Sequence, residues 1–249
     1  MNLSVVVPVH NEQENIQSLA NEIRYQLEGK IEFELIYVDD GSRDGTVSQL
    51  EALQEQGFPQ LKIVRHDGFF GQSTAVLSGF RHSTAEWVAT LDGDGQNDPA
   101  DILRLYHSLL EKHAGDSRYV CAAGYRKNRN DSLVKRWSSR IANGVRSRLL
   151  HDKTPDTGCG LKVLQREAFL ALPFFDHLHR FIPALIQANG GRIIVLEVNH
   201  RHRTSGTSKY GIGNRLWVGL VDLFGVKWLC ARAKKPLYIN SSTQVDHHD

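Results

Sequence analysis

Between residues 3 and 125, short apolar runs alternate with longer stretches whose apolar positions recur every three or four residues. LSVVVPV (3–9), FELIYVD (33–39), LKIVRH (61–66), WVATLD (87–92) and YVCAAGY (119–125) predict strands. The intervening 12–28, 44–56, 72–83 and 99–113 predict helices, the last opened by Pro99 near its start. This alternation is the pattern of βαβ units: an α/β chain with a mostly parallel central sheet and helices on both faces. Past residue 130 the rhythm loosens. A basic helix is expected over about 133–150, and the Gly-rich DTGCGLKVL (156–164) leads into a short strand. Helical pattern returns at 177–189, then a strand at 192–198, a loop at 201–211 and a last helix to about 233. No repeat or linker interrupts the chain, so the second half reads as an elaboration of one domain.

The polar clusters fall at the ends of the predicted strands. HNE follows the first, DDGS the second, DGDGQ the fourth and RKNR the fifth. In open α/β sheets ligands bind outside the carboxyl ends of the strands. The registry therefore predicts one shared site.

Composition narrows the setting. The 249 residues are 41% hydrophobic and 23% charged, with a net charge of +2, which is ordinary for a globular chain. The charge is unevenly spread: Arg126 to Arg148 holds eight basic residues against one acid, Asp131. Cys121, Cys159 and Cys230 are far apart and match no zinc spacing, which fits a reducing compartment. The N-terminus has no secretory pattern. The most apolar late stretch, Leu216 to Ala231, is interrupted by Asp222 and Lys227, so no spanning helix is expected.

The candidate chemistry centres on DGDGQND. Asp92, Asp94 and Asp98 fall within seven residues, with glycines at 93 and 95. Like charges held this close repel, and one tends to take up a proton. A divalent cation removes that penalty. Asp92, Asp94 and the amide of Gln96 form a hard-oxygen set suited to Mg²⁺ or Mn²⁺, with phosphate oxygens completing the shell. VDDGSRDGTVSQLE comes near a calcium loop at Asp40, Ser42, Asp44, Gly45 and Glu51, but a strand precedes it where a helix is required. A strand-to-helix turn with Asp44 as N-cap accounts for it. That leaves the Asp39–Asp40 pair, placed to accept hydrogen bonds from a nucleobase or ribose. The first turn, PVHNEQEN, has no glycine, which excludes a dinucleotide fingerprint, and there is no Walker A sequence.

VVVPVHNEQEN, IYVDDGSRDGT and LDGDGQNDP together resemble the nucleotide-binding half of family 2 glycosyltransferases with the GT-A fold. The second half, through GYRKNRNDSLVKRWSSRIANGVRSRL, DTGCGLKVLQRE and HRHRTSGTSKYG, resembles the polyprenyl-phosphate (dolichol-phosphate) hexosyltransferases. The resemblance implies a catalytic domain over 1–211, an amphipathic helix over 212–235 and a polar tail over 236–249. It implies donor contacts from Pro8, His10, Glu12, Val38, Asp40 and Gly93, with Asp92, Asp94 and Gln96 holding metal and diphosphate. Arg126 and Arg140 would meet the acceptor phosphate, and Arg203 and Lys209 would close on the donor. His10 departs from the family, which often has tyrosine there. Many relatives also continue into membrane-spanning helices, and none is expected here.

The implied reaction moves a hexose from a nucleoside-diphosphate donor to a polyprenyl phosphate, with inversion. GDP-mannose is the first donor expected and UDP-glucose the second. A phosphate monoester has a second pKa of about 6, so the attacking oxygen is already anionic and needs no general base. A sugar hydroxyl would need one, with Asp156 the first suspect. The alternatives are a non-catalytic nucleotide-sugar sensor at a membrane and a nucleotidyltransferase on a similar sheet. Nucleic acid is not an expected partner. Leu133, Trp137, Ile141, Val145 and Leu149 make an apolar stripe in the basic helix, as do Leu216, Leu220, Phe224 and Trp228, widened by Trp217 and Val221, in the last. Stripes beside cations are expected either at a membrane surface or against the core. The expected location is cytoplasmic, peripheral on the inner face of a membrane.

Overall fold

A computed structural model describes residues 1–126, 144, 146–150, 152, 154–201 and 212–233. Seven strands, β1 (Leu3–Val9), β2 (Phe33–Asp39), β3 (Leu61–Arg65), β4 (Trp87–Thr90), β5 (Tyr119–Tyr125), β6 (Lys162–Gln165) and β7 (Arg192–Glu197), form one sheet. Their order is β3-β2-β1-β4-β6-β5-β7. β6 runs antiparallel to both neighbours, while the remaining pairs are parallel. The helices are α1 (Ile16–Leu27), α2 (Thr46–Glu55), α3 (Gln72–His82), α4 (Asp101–Gly115), α5 (Arg166–Leu170), α6 (Ile182–Ala188) and α7 (Ile212–Arg232).

The central strands read as unbroken apolar runs because both faces of the sheet are covered. Leu3, Val5, Val7, Leu35 and Tyr37 point into one core with Ile16 and Ile23 of α1 and Leu105 of α4. Val6, Ile36, Val38 and Val88 point into the other with Ala75 and Phe80 of α3, Phe169 of α5 and Leu185 of α6. This is the two-residue alternation of a pleated strand. At Gly79 in α3 a Cβ would lie 2.2 Å from Val6 Cγ1, so helix and sheet approach as closely as they do only because the residue is glycine.

Helix α1 starts at Ile16 rather than at residue 12. The N–H groups ahead of it are engaged elsewhere: Asn11 donates to Ser42 Oγ (2.8 Å), Glu12 to Thr46 Oγ1 (2.9 Å) and Gln13 to Asp44 Oδ2 (3.4 Å). In return Arg43 N donates to Asn11 Oδ1 and Gly45 N to Gln13 Oε1, both at 2.7 Å. The first two motifs are thus stitched into one platform above β1 and β2. The N-cap of α2 is Gly45 rather than the expected Asp44, which stands one residue earlier and accepts from the N–H and hydroxyl of Thr46, the first residue of the helix. The segment expected as one helix over 177–189 is broken. His177 is left-handed (φ 64°), a 3₁₀ turn covers Leu178–Arg180, and α6 follows.

A candidate active site at the strand ends

The carboxyl ends of β1 and β2 and the loop after β3 enclose a cleft of about 650 Å³ lined by His10, Asn11, Asp39, Arg43, Arg65 and Phe69, among others. His10 is oriented by two hydrogen bonds. Its Nδ1–H donates to the Asp40 carbonyl (2.7 Å), because a carbonyl can only accept. Its Nε2 accepts from Asn11 Nδ2 (3.0 Å), whose own oxygen already accepts from Arg43 N. Phe69 lies against the ring with centroids 4.6 Å apart. Phe69 is 55% exposed, which leaves an aromatic face on the cleft.

Asp40 does not face that cleft. Its carboxylate is buried and accepts from Phe70 N (3.0 Å) and Gly71 N (2.7 Å) and pairs with His66 Nδ1 (2.7 Å). His66 Nε2 in turn meets Ser78 Oγ of α3 at 2.8 Å. Asp40 therefore shapes the 66–71 wall, while Asp39, whose Oδ1 accepts from Ser42 N (3.2 Å), and Asp67 line the cleft. Val38 is likewise relocated: its side chain is fully buried against α3, because that position points to the covered face of β2. Glu12 accepts from Asn15 Nδ2 at 2.7 Å, and Pro8 is half-buried. Gly93 packs on the end of β1, where a Cβ would lie 2.9 Å from the Pro8 carbonyl and 2.6 Å from Val9 Cγ1.

Beyond β4 the chain turns through Asp92 to Gln96. Asp92 accepts from Gln72 Nε2 at the start of α3 (2.8 Å), and its own N–H is held by Asn97 Oδ1 (3.0 Å). Asp94 accepts from Gln96 N (3.1 Å). Burial and then the neighbouring Asp94 charge push the Asp92 carboxyl up to about 6, against the opposing pull of Lys162 and Arg126. Gly160 permits this packing, since a Cβ there would stand 2.3 Å from the Asp92 carboxylate. Among the described residues no three His, Cys, Asp or Glu side chains cluster as a ready metal site. The set of two carboxylates and an amide fits a hard divalent cation that takes its remaining ligands from a diphosphate and water.

Arg126 follows β5 and is half-buried. Its Nε donates to Asp156 Oδ2 (2.7 Å) and its Nη2 to Asp156 Oδ1 (3.0 Å). Burial opposes the charge on Arg126, but Asp156 outweighs it and the guanidinium is held more firmly protonated than usual. Lys162 of β6 is buried and donates to the Cys159 carbonyl. His179, bonded through Nδ1 to Ser73 Oγ (2.8 Å), is kept neutral by burial and nearby cations. The strand ends thus bring together His10, Asp39, Asp92, Asp94, Gln96 and Arg126. Arg140, Arg203 and Lys209 lie outside the described residues. Phe69, Gln72 and Lys162 were not singled out from sequence, while Asp39 was marked there only as half of an acidic pair.

A family model for glycosyl transferase family 2 matches residues 4–172. The dodecaprenyl-phosphate galacturonate synthase of Rhizobium johnstonii is 33% identical over 240 residues, covering 95% of this chain and 69% of that protein. The undecaprenyl-phosphate 4-deoxy-4-formamido-L-arabinose transferase of Edwardsiella ictaluri is 34% identical over 213 residues, covering 84% of this chain and 63% of that one. The chain thus spans about two thirds of the length of these relatives. Among solved structures, a mannosyltransferase from Pyrobaculum calidifontis in complex with GDP-Man and Mn²⁺ superposes with a TM-score of 0.65 at 20% identity, covering 94% of this chain and 64% of that one. Glucosyl-3-phosphoglycerate synthase from Mycobacterium tuberculosis gives 0.66 at 16% identity, covering 94% and 81%. On the family match and the sheet order together, the chain belongs to glycosyl transferase family 2 and has the GT-A fold.

Proposed function

We propose that this chain transfers a sugar from a nucleoside-diphosphate donor to a polyprenyl phosphate, inverting the anomeric carbon. The observation that carries this reading is the bidentate Arg126–Asp156 pair within electrostatic reach of Asp92. Asp156 was the carboxylate to suspect as general base for a hydroxyl acceptor, and its charge is committed to Arg126. A phosphate acceptor brings its own negative oxygen and needs no base. Arg126 then positions an anion beside the donor's anomeric carbon, which is orientation and charge stabilisation rather than proton transfer. The names of both curated relatives, each specifying a polyprenyl-phosphate product or acceptor, support the same acceptor class.

On the donor side, the His10–Phe69 aromatic face and the Asp39 carboxylate suit a base and ribose, replacing the sequence assignment to Asp40. Asp92, Asp94 and Gln96 would hold Mg²⁺ or Mn²⁺, which supplies charge neutralisation of the diphosphate leaving group. Asp92 and Asp94 would supply that ion's carboxylate ligands, and Gln72 holds Asp92 in place. GDP-mannose remains the first donor to test and UDP-glucose the second. The sugars in the relatives' names, galacturonate and 4-deoxy-4-formamido-arabinose, belong in the same panel. The acceptor is a lipid, so the reaction takes place at a membrane surface.

The test is incubation of the chain with labelled nucleotide sugars, Mn²⁺ and a short polyprenyl phosphate. Label moving into the lipid fraction supports the reading. Donor binding without transfer to any acceptor would favour a sensor, and release of sugar 1-phosphate, with the nucleotidyl group passing to the acceptor phosphate, a nucleotidyltransferase.

A further inference from the structure

The turn that carries Asp94 and Gln96 is rich in glycine. Glycines flank Asp94 on both sides, and Gly95 sits at φ 72°. Two carboxylates on it repel. Something must hold it in a single shape before any cation arrives, and α4 begins only at Asp101.

Arg201 meets this turn at three points and α1 at a fourth. Its N–H donates to the Gln96 carbonyl (3.0 Å), and Gln96 Nε2 reaches back to the Arg201 carbonyl (3.5 Å). The neighbouring residues, Asn97 and His200, form an isolated antiparallel bridge. The guanidinium spans two elements: Nη2 donates to Asp98 Oδ1 (2.8 Å) on the turn, and Nη1 to Glu22 Oε2 (2.6 Å) on α1. Asp98 Oδ1 also accepts from Ala100 N (3.0 Å), and its Oδ2 accepts from Asn199 Nδ2 (3.4 Å). The side chain of Arg201 is 41% exposed, and exposed ion pairs add little to global stability. A residue that contributes little to stability yet ties the turn to α1 and to the segment after β7 acts on local geometry.

We propose that Arg201 is a positioning residue for the metal turn, locking Gln96 and Asp98 so that Asp94 and Gln96 are preorganised for the cation and diphosphate. The proposal rests on the metal assignment above, and its test separates the two. Arg201→Met and Arg201→Lys would be compared with the unaltered chain in two ways. Hydrogen exchange without metal reports the backbone of 92–98, and electron paramagnetic resonance titration of Mn²⁺ with GDP or UDP present reports the loaded site. Arg201→Met should speed exchange across 92–98 and weaken Mn²⁺ binding about 10-fold, the scale seen when supports of metal ligands are removed. Its melting temperature should move little, and Arg201→Lys should recover part of both losses. Glu22→Gln, on α1 and away from the turn, should shift both in the same direction by less. Unchanged exchange across 92–98 in Arg201→Met overturns the proposal, as does a general loss of protection with a large fall in melting temperature. If the unaltered chain binds no Mn²⁺ with either nucleotide, the metal assignment fails, and the exchange result still decides the role of Arg201.

Discussion

Asp92 and Asp94 carry an electrostatic conflict that can be measured. With its carboxyl pushed up to about 6 from an ordinary value near 3.8, Asp92 binds more protons in the folded chain than in the unfolded one between those two values. Stability without metal should therefore fall as pH rises from about 4 to 6 and stay lowered above that. Asp92→Asn should abolish this contribution and raise neutral-pH stability by about 1–2 kcal/mol, roughly 2–6 °C in Tm for a chain of this size. Asp94→Asn removes the second cause of the shift, so its slope should be shallower than that of the unaltered chain. It should also lower turnover by roughly 100-fold or more while the fold persists. Thermal melts without metal at pH 4, 5, 6 and 7, beside an activity assay, check both. A slope unchanged in Asp92→Asn would place the titrating group elsewhere. At this scale the sequence was a partial guide. Crowded aspartates and flanking glycines announce themselves locally, and so did the strand-end arginine. The choice between Asp39 and Asp40 did not, because it depends on which carboxylate the 66–71 loop recruits. Gln72 and Asp156 act across 20 and 30 residues of chain, and no local pattern carries such a pairing.

Elements set the shape of the cleft. Phe70 N, Gly71 N and His66 all converge on Asp40, so the loop after β3 is held to β2 by one carboxylate. Asp40→Ala would leave two partly buried N–H groups and a ring nitrogen without their partner, a loss of about 2–4 kcal/mol. It should also loosen the wall that bears Phe69. The expected outcome is faster amide exchange at Phe70 and Gly71 and weaker nucleotide binding. Phe69→Ala, at an exposed position, should weaken nucleotide binding while leaving Tm nearly unchanged. Equal nucleotide affinity in both variants would remove the aromatic face from the donor site. The strands were legible because a doubly covered sheet makes continuous apolar runs. Helix starts were less so, since residues 10–15 have helical composition but give their N–H groups to Ser42, Thr46 and Asp44. The five-residue α5 was missed, being too short to show a period, and the reversed direction of β6 cannot be read from four residues.

For the molecule as a whole, the proposed lipid acceptor calls for a surface that would meet a membrane. Among the described residues no helix is long and apolar enough to cross a membrane. The last helix, α7, presents two apolar faces. Leu223 and Val226 are buried in the second core beside Phe181, Ile182 and Leu185. Asp222, the single acid of α7, is drawn inward to His177 Nδ1 at 2.9 Å. On the outer side Val221, Phe224 and Trp228 are 56%, 62% and 61% exposed. Lys227 and Arg232 are exposed as well, and Arg232 stacks over Trp228 with its guanidinium 5.8 Å from the ring centroid. Core packing and a surface stripe therefore coexist, and removing the helix is the wrong test, because uncovering Leu223 and Val226 alone would cost about 3–5 kcal/mol. The discriminating change is Phe224→Ser with Trp228→Ser, which alters only the exposed face. The unaltered chain should float with anionic vesicles at low salt, since each cation near such a surface adds about 1 kcal/mol. Flotation should weaken as salt rises, because exposed charges are screened over about 8 Å at physiological ionic strength. The double variant should lose flotation, keep its Tm, and lose transfer to a long-chain acceptor more than transfer to a short, water-soluble one. If the unaltered chain does not bind vesicles at low salt, or the double variant floats as well as its parent, the stripe is not a membrane contact.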